Sequence, residues 1–243
     1  MKIAIIPEKV FYFLFFIIGL LSVASLIANY LKFHSETFFS KVFFRLFDVN
    51  TEVNLPSLYS TITLLACALI LFLIHYIENG KWVRFGYWSL LGMVFLFLAI
   101  DENISLHEKI MGPIRSQFNL TGVFYYAWIV PYFLAVSLLG LYYIPFLLKL
   151  PVKALYHFIL AFLLFMGGAV GMEMLGGRHN SLYGHDATLV LYYSIEEFLE
   201  MLGVGVFIKG LLLYILDSKA SGKIKLIVVQ GTKTVMQPIR EEV

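Results

Sequence analysis

The sequence predicts an all-α polytopic membrane protein: a six-helix transmembrane bundle with an interfacial amphipathic segment after the first helix. Three observations carry this. The 243 residues are 60% hydrophobic and only 14% charged, and the mean hydropathy is +0.84; soluble domains run to about a quarter charged and just under half apolar. Six stretches approach or exceed the length needed to cross a bilayer, about 20 apolar residues. Those stretches are apolar on every face rather than alternating with period two, and lipid admits only helices and closed barrels, so helices are the solution here. The composition excludes a disordered chain, a collagen-like repeat and an ordinary soluble enzyme. A net charge of +2, with no long block of one sign, offers no surface for nucleic acid.

The spans are expected over Val10–Leu31, Leu55–Tyr76, Val83–Ile100, Val123–Leu148, Ala154–Leu175 and Ala187–Ile215. The first is longer than a signal-peptide core and follows Lys2 and Lys9, which favours a retained signal anchor over a cleaved leader. Between spans one and two, Phe38, Phe39, Phe43, Phe44 and Phe47 interleave with charges, the pattern of a helix lying at headgroup depth. After the third span, 101–122 reads as a helical continuation with a turn near Gly112-Pro113. Pro131 and Pro145 are expected to kink the fourth span. Residues 1–216 then form the six-span domain and 217–243 a short tail, in which Ile224–Gln230 and Thr232–Gln237 could pair as a hairpin around Gly231. Cys67, the single cysteine, sits in an apolar run and reads as a buried, inert thiol.

Lys and Arg counts set the orientation. With the N-terminus inside, Lys32, Lys41, Arg45, Lys109, Arg115 and Arg178 lie outside and the other 12 of the 18 basic residues lie inside. The expected location is therefore the cytoplasmic membrane, with both termini cytoplasmic.

Carboxylates inside apolar segments are costly and mark function. Here they concentrate at the outer ends of three segments: Asp101 and Glu102 with His107 and Glu108; Glu173 among Gly167, Gly168, Gly171, Gly176 and Gly177; and Glu196, Glu197 and Glu200. On one continuous helix Asp101, Ser105 and Glu108 share a face, with His107 about 120° away. The glycines allow close helix approach. Clustered acids in low dielectric need protons, basic partners or a cation. Arg178 and Lys109, the nearest bases in sequence, are too few. A divalent metal is the simplest neutraliser. Asp101, Glu102, His107, Glu108, Glu173, Glu196, Glu197 and Glu200 are the expected ligand set, and zinc, iron or manganese the expected metal, with calcium suited only if histidine is not a ligand.

The bland alternatives are solvated carboxylates at helix ends, exposed His179 and His185 in an outer loop, structural His75 and His157, and a snorkelling Lys209. No Glu-x-x-His, His-Glu-x-x-His, Gly-x-Ser-x-Gly or phosphate-loop motif occurs. An EF-hand starting at Asp48 fails, because Val53 and Tyr59 occupy the positions that need Gly and Glu.

Taken together, Glu52-x-Asn54-Leu55-Pro56, Asp101-Glu102 with His107-Glu108, Gly171-x-Glu173-x-x-Gly176-Gly177 and Glu196-Glu197-x-x-Glu200-Met201 resemble a family of uncharacterised bacterial multi-pass membrane proteins. The likeness spans residues 48–215 and implies one grouped site but no reaction. The residues themselves leave three readings open. One is a metal-dependent membrane enzyme, hydrolase or oxidoreductase, acting on a lipid-soluble substrate near the outer leaflet. Another is a proton- or cation-coupled transporter or channel component. The third is a membrane scaffold or assembly subunit. The lipid bilayer is the one partner the composition requires.

Overall fold

The structure is a computed structural model that describes residues 4–79, 85–217 and 227–228. It is helical, and six of its helices are long and apolar enough to cross a membrane. The first is α1 (Pro7–His34), which opens on proline, where a missing N–H costs no bond. The amphipathic helix expected after it is α2 (Phe38–Phe47), started by the Thr37 hydroxyl accepting the Ser40 N–H at 3.2 Å. Exposed Phe38, Phe39 and Val42 form its apolar side.

The second span, α3 (Leu55–Asn79), begins with a reciprocal cap. Asn54 Oδ1 accepts the Ser57 N–H and Ser57 Oγ accepts the Asn54 N–H, both at 3.0 Å. The third span, α4 (Tyr87–Ile104), is followed directly by α5 (Leu106–Phe118). The fourth, α6 (Ile129–Leu147), starts six residues later than expected, because a 3-10 turn over Gly122–Phe124 and further turns precede it. Pro131 therefore falls in the first turn of α6, where it removes no intrahelical bond, and only Pro145 is interior.

The fifth span runs from Val152 to Tyr183 as α7 (Val152–Met166), a π-helical segment (Gly167–Met172) and α8 (Glu173–Tyr183). The sixth, α9 (Ala187–Asp217), is capped by Asp186, whose Oδ1 accepts the Leu189 N–H at 2.9 Å.

The helix α9 is the axis of the bundle, with α1, α3, α7 and α8 packed against it and α4 packed on α3. Leu64, Cys67 and Leu71 of α3 meet Phe158 and Ala161 of α7 and Phe207 and Leu211 of α9 in a continuous apolar core. Helices in lipid gain little from burying apolar surface, so close backbone approach matters more. At Gly203 an added Cβ would come within 2.9 Å of the Phe165 nitrogen, so only glycine lets α7 lie this close to α9. The outside is apolar too: Phe13, Phe16 and Leu20 of α1 and Leu134, Leu138 and Leu141 of α6 are exposed, which is the surface lipid requires.

A further expectation is corrected. The turn after the third span lies at Ser105, in the left-handed region at φ 49°, while Gly112 and Pro113 lie inside α5. The Asp101 carboxylate favours the break by accepting the His107 N–H at 3.1 Å beyond it. Pro113 is exposed, so the carbonyl it leaves unpaired can be solvated. In the tail, Ile227–Val228 (β2) runs parallel to Ala4–Ile5 (β1). The rest of the expected hairpin lies outside the described residues, as does the expected start of the third span at Val83. This pairing places Ala4–Ile5 and Ile227–Val228 side by side at one end of the bundle.

Candidate metal centre

The site forms at the end of the bundle opposite the paired termini, where α3 begins and α4 ends. Its scaffold is a buried polar network. Asn29 of α1 donates to Asp48 Oδ1 at 2.9 Å and accepts the Tyr193 hydroxyl of α9 at 2.7 Å. The Asn54 amide donates to the Asp48 carbonyl at 2.6 Å, and Val49 N–H donates to Ser25 Oγ at 3.1 Å. These bonds pin the 48–54 loop between α2 and α3. Val53, a β-branched residue, is held at φ 58°, a strained conformation of the kind that concentrates at functional sites.

Beside Val53 stands Glu52. One ligand atom each from Glu52, His107 and Glu108 lies within 4.8 Å of the other two. Glu52 and His107 are half-buried and Glu108 is exposed. Glu52 Oε2 is itself buried and has no hydrogen-bond partner. A carboxylate oxygen withheld from both water and protein donors is costly, and a cation removes that cost. Burial raises the Glu52 carboxyl above its ordinary range, and the Glu108 and Asp101 charges add to this.

The His107 ring is oriented from behind. Its Nδ1 lies 3.0 Å from Asp101 Oδ2, and Asp101 Oδ1 also takes the Tyr132 hydroxyl at 3.4 Å. The expected face of Asp101, Ser105 and Glu108, with His107 turned away, does not exist. The break at Ser105 brings His107 back onto Asp101. With Nδ1–H donating to the carboxylate, Nε2 keeps its lone pair free, which is how metal-ligating imidazoles are commonly held. Burial works against a charge on His107, but the Asp101 hydrogen bond and the Glu108 and Glu173 charges outweigh it and raise its pKa.

The remaining acids extend inward from this group. Glu102, in the last turn of α4, lies within electrostatic range of Glu52, His107 and Asp101. Glu197 and Glu200 of α9 feel both Glu102 and Glu52. Glu196 lies against Glu173, and Glu173 Oε1 accepts the Trp128 indole N–H at 2.9 Å. Electrostatic contacts thus link the eight residues expected from the sequence into a chain, but only His107 and Glu108 of them join the three-residue group with Glu52. Asp101 has both oxygens engaged by protein donors.

The π segment is what lets Glu173 reach its partners. The Glu173 N–H bonds the Gly168 carbonyl five residues back, and a Cβ on Gly168 would stand 2.7 Å from the Glu196 carbonyl oxygen. Single π turns commonly mark functional positions in helices.

Other polar residues are placed elsewhere. His179 bonds Asp186 at 2.8 Å; the Leu189 N–H, and after it His179, hold that carboxyl below its usual range. His185 is exposed, His157 bonds the Lys153 carbonyl, and His75 is buried near the opposite end. Among the described residues the only ion pairs are His107–Asp101 and His179–Asp186, so neither Arg178 nor Lys109 neutralises the acids. Glu52 is the member of the three-residue group that the sequence pattern does not single out. Its signal was the adjoining Asn54-Leu55-Pro56-Ser57 cap, which fixes a glutamate at the mouth of a span.

The family model described as "Domain of unknown function (DUF8692)" matches residues 13–215, which takes in all six spans almost completely. No curated protein and no solved structure matches the chain.

Proposed function

Because the chain belongs to the DUF8692 family, a domain of unknown function, its activity has to be read from its own residues. We propose that it is a metal-dependent membrane hydrolase acting on a lipid-soluble substrate at the outer leaflet. The observation that carries this reading is the Glu52, His107 and Glu108 group, with a buried unpartnered oxygen on Glu52 and an imidazole braced by Asp101. Two carboxylates and one imidazole suit zinc, manganese or iron(II). An ion there would supply an activated water. Glu102 and Glu200, both within electrostatic range of Glu52 and without an ion pair among the described residues, would hold and return the proton that hydrolysis moves. The basic-residue asymmetry assigns this end to the outside of the cytoplasmic membrane, with both termini inside.

A transport pathway would have to continue toward the opposite end. What stands in the way is the apolar layer of Leu64, Cys67, Leu71, Phe207 and Leu211. The test is elemental analysis of the protein purified in detergent, with zinc, manganese and iron(II) added back after chelation. The expected result is one tightly held ion per chain, lost in Glu52→Gln and His107→Ala. No binding of any of the three metals, with no effect of EDTA on the melting temperature, overturns the reading and leaves the scaffold alternative.

A further inference from the structure

A second site lies above the carboxylates, at the same end of the bundle. A cavity of about 750 Å³ opens between α5, the 119–123 loop and α8. Arg115 and Arg178 reach it from two different helices, and none of the residues lining it is acidic. Neither guanidinium is in an ion pair among the described residues. Arg115 rests on the Tyr125 ring, 4.5 Å from its centroid, which holds one face of the guanidinium and leaves its edge free. A last-turn position on α5 explains one cation through the helix dipole. It does not explain a second, from another helix, turned into the same space.

Two unpaired guanidiniums in a cavity without carboxylates match a phosphate group, whose oxygens accept forked N–H pairs. Leu182 in its lining is exposed, and so are Phe118 and Phe124, the chain neighbours of the lining residues Asn119 and Val123; exposed apolar side chains are the surroundings an acyl or prenyl chain prefers. The cavity and the acids share backbone elements, though not a face. Arg178 follows Glu173 by five residues on α8, roughly 7–8 Å at the helical rise. Tyr125 belongs to the same short segment as Trp128, which holds Glu173.

We infer that this cavity binds the phosphate of an anionic amphiphile, and that such a lipid phosphate is the substrate class of the carboxylate site. The second half of this inference rests on the reading given under the proposed function. The cavity is a headgroup site and Arg115 and Arg178 are its binding residues.

The experiment measures retention of phosphatidic acid by the detergent-purified full chain in native mass spectrometry, with inorganic phosphate as the soluble competitor. Wild type should retain one phosphatidic acid, and millimolar inorganic phosphate should displace it poorly. Arg178→Gln should weaken retention at least tenfold, and the double variant with Arg115→Gln should abolish it, while melting temperature and metal content stay unchanged. Equal retention by wild type and the double variant overturns the inference. So does inorganic phosphate binding as tightly as the lipid, which would make the cavity a site for a soluble anion. Glu52→Gln separates the two readings: it should lose metal and keep lipid. If no metal is found but retention still depends on the arginines, the hydrolase reading fails and the headgroup site stands.

Discussion

Tyr193 on the last span and Asn29 on the first, 164 residues apart in sequence, share a 2.7 Å hydrogen bond deep in the bundle. Asn29 passes that bond on to Asp48, so the loop that carries Glu52 is fastened to both spans through one amide. Removing the amide leaves a buried carboxylate and a buried phenol short of partners. Asn29→Ala should lower stability by about 1–3 kcal/mol, the cost of orphaned buried polar groups. It should also loosen metal retention, since the loop loses its anchor. Thermal unfolding in detergent and elemental analysis check the two effects, and unchanged values for both would remove this network from the account of the site.

Asp48 gives the pH dependence of the same network. Burial raises its carboxyl above the ordinary range, against the lowering effects of Asn29, the Asn50 backbone and Lys32. A group raised in the folded state holds its proton better there than in the unfolded chain. Its contribution is therefore complete below the ordinary carboxylate range and lost as pH rises through the raised value. Asp48→Asn keeps size and acceptor while removing that slope. Its melting temperature at neutral pH should equal or exceed wild type, and the gap should close on acidification toward pH 4. A variant less stable than wild type at neutral pH would contradict this.

His107 predicts the opposite trend for binding of the proposed ion. Because its pKa is raised, proton and metal compete for the imidazole further up the pH scale than for a free histidine. Metal affinity should fall as pH drops through and below that raised value. Asp101→Asn removes the charge that orients the ring. The expected loss in affinity is about 10–100-fold, as for other partners of ligating histidines. Isothermal titration across pH 5.5–8.5 reads both, and a pH-independent affinity would exclude His107 as a ligand.

Glycine at position 168 is required by contact. The Glu196 carbonyl would be 2.7 Å from a new Cβ, with the Glu200 Cγ at 3.0 Å. Backbone cannot yield as a flexible side chain does, so Gly168→Ala should cost about 1–3 kcal/mol through overpacking. Gly171, with nothing within 4 Å of its Cβ position, is the matched control and should accept alanine. Paired melting curves of the two variants decide it. Equal behaviour would mean that α9 can shift freely away from the π segment.

Topology can be read with single-cysteine labelling in intact cells. Glu36 and Gly112 should label from outside with a membrane-impermeant maleimide, and Asn79 only after lysis. Labelling of Asn79 and Gly112 from the same side would break the six-span path.

The spans were legible because lipid imposes one demand along the chain, an unbroken apolar run, and this survives ignorance of every neighbour. Leu55 and Ala187 begin their helices as expected because each follows a capping side chain, from Asn54 and Asp186. The departure at Ser105 was hidden because the cause is a side chain, Asp101, bonding an N–H six residues on. Gly112-Pro113 looked the better turn by composition alone. In the site, Glu173, Glu197 and Glu200 stood out because acids in apolar runs are anomalous wherever they occur. Glu52 lies in a polar loop, where a glutamate is ordinary. Its importance comes from where the Asn29 and Asp48 bonds put it, which no local pattern encodes.

The π segment at Gly167–Met172 also sets the angular phase of everything after it on that span. One extra residue has been wound into the turn, so α7 and α8 are not a single continuous screw. Closing that turn into α geometry with every residue kept would swing the following residues by about 100°. Glu173 would leave the acids and Arg178 would leave its cavity together, so both sites depend on the turn staying wide. Excising one residue from the segment at the same time would restore the phase, because the wide turn is what absorbs the extra residue. Hydropathy and the number of spans would be the same in every case.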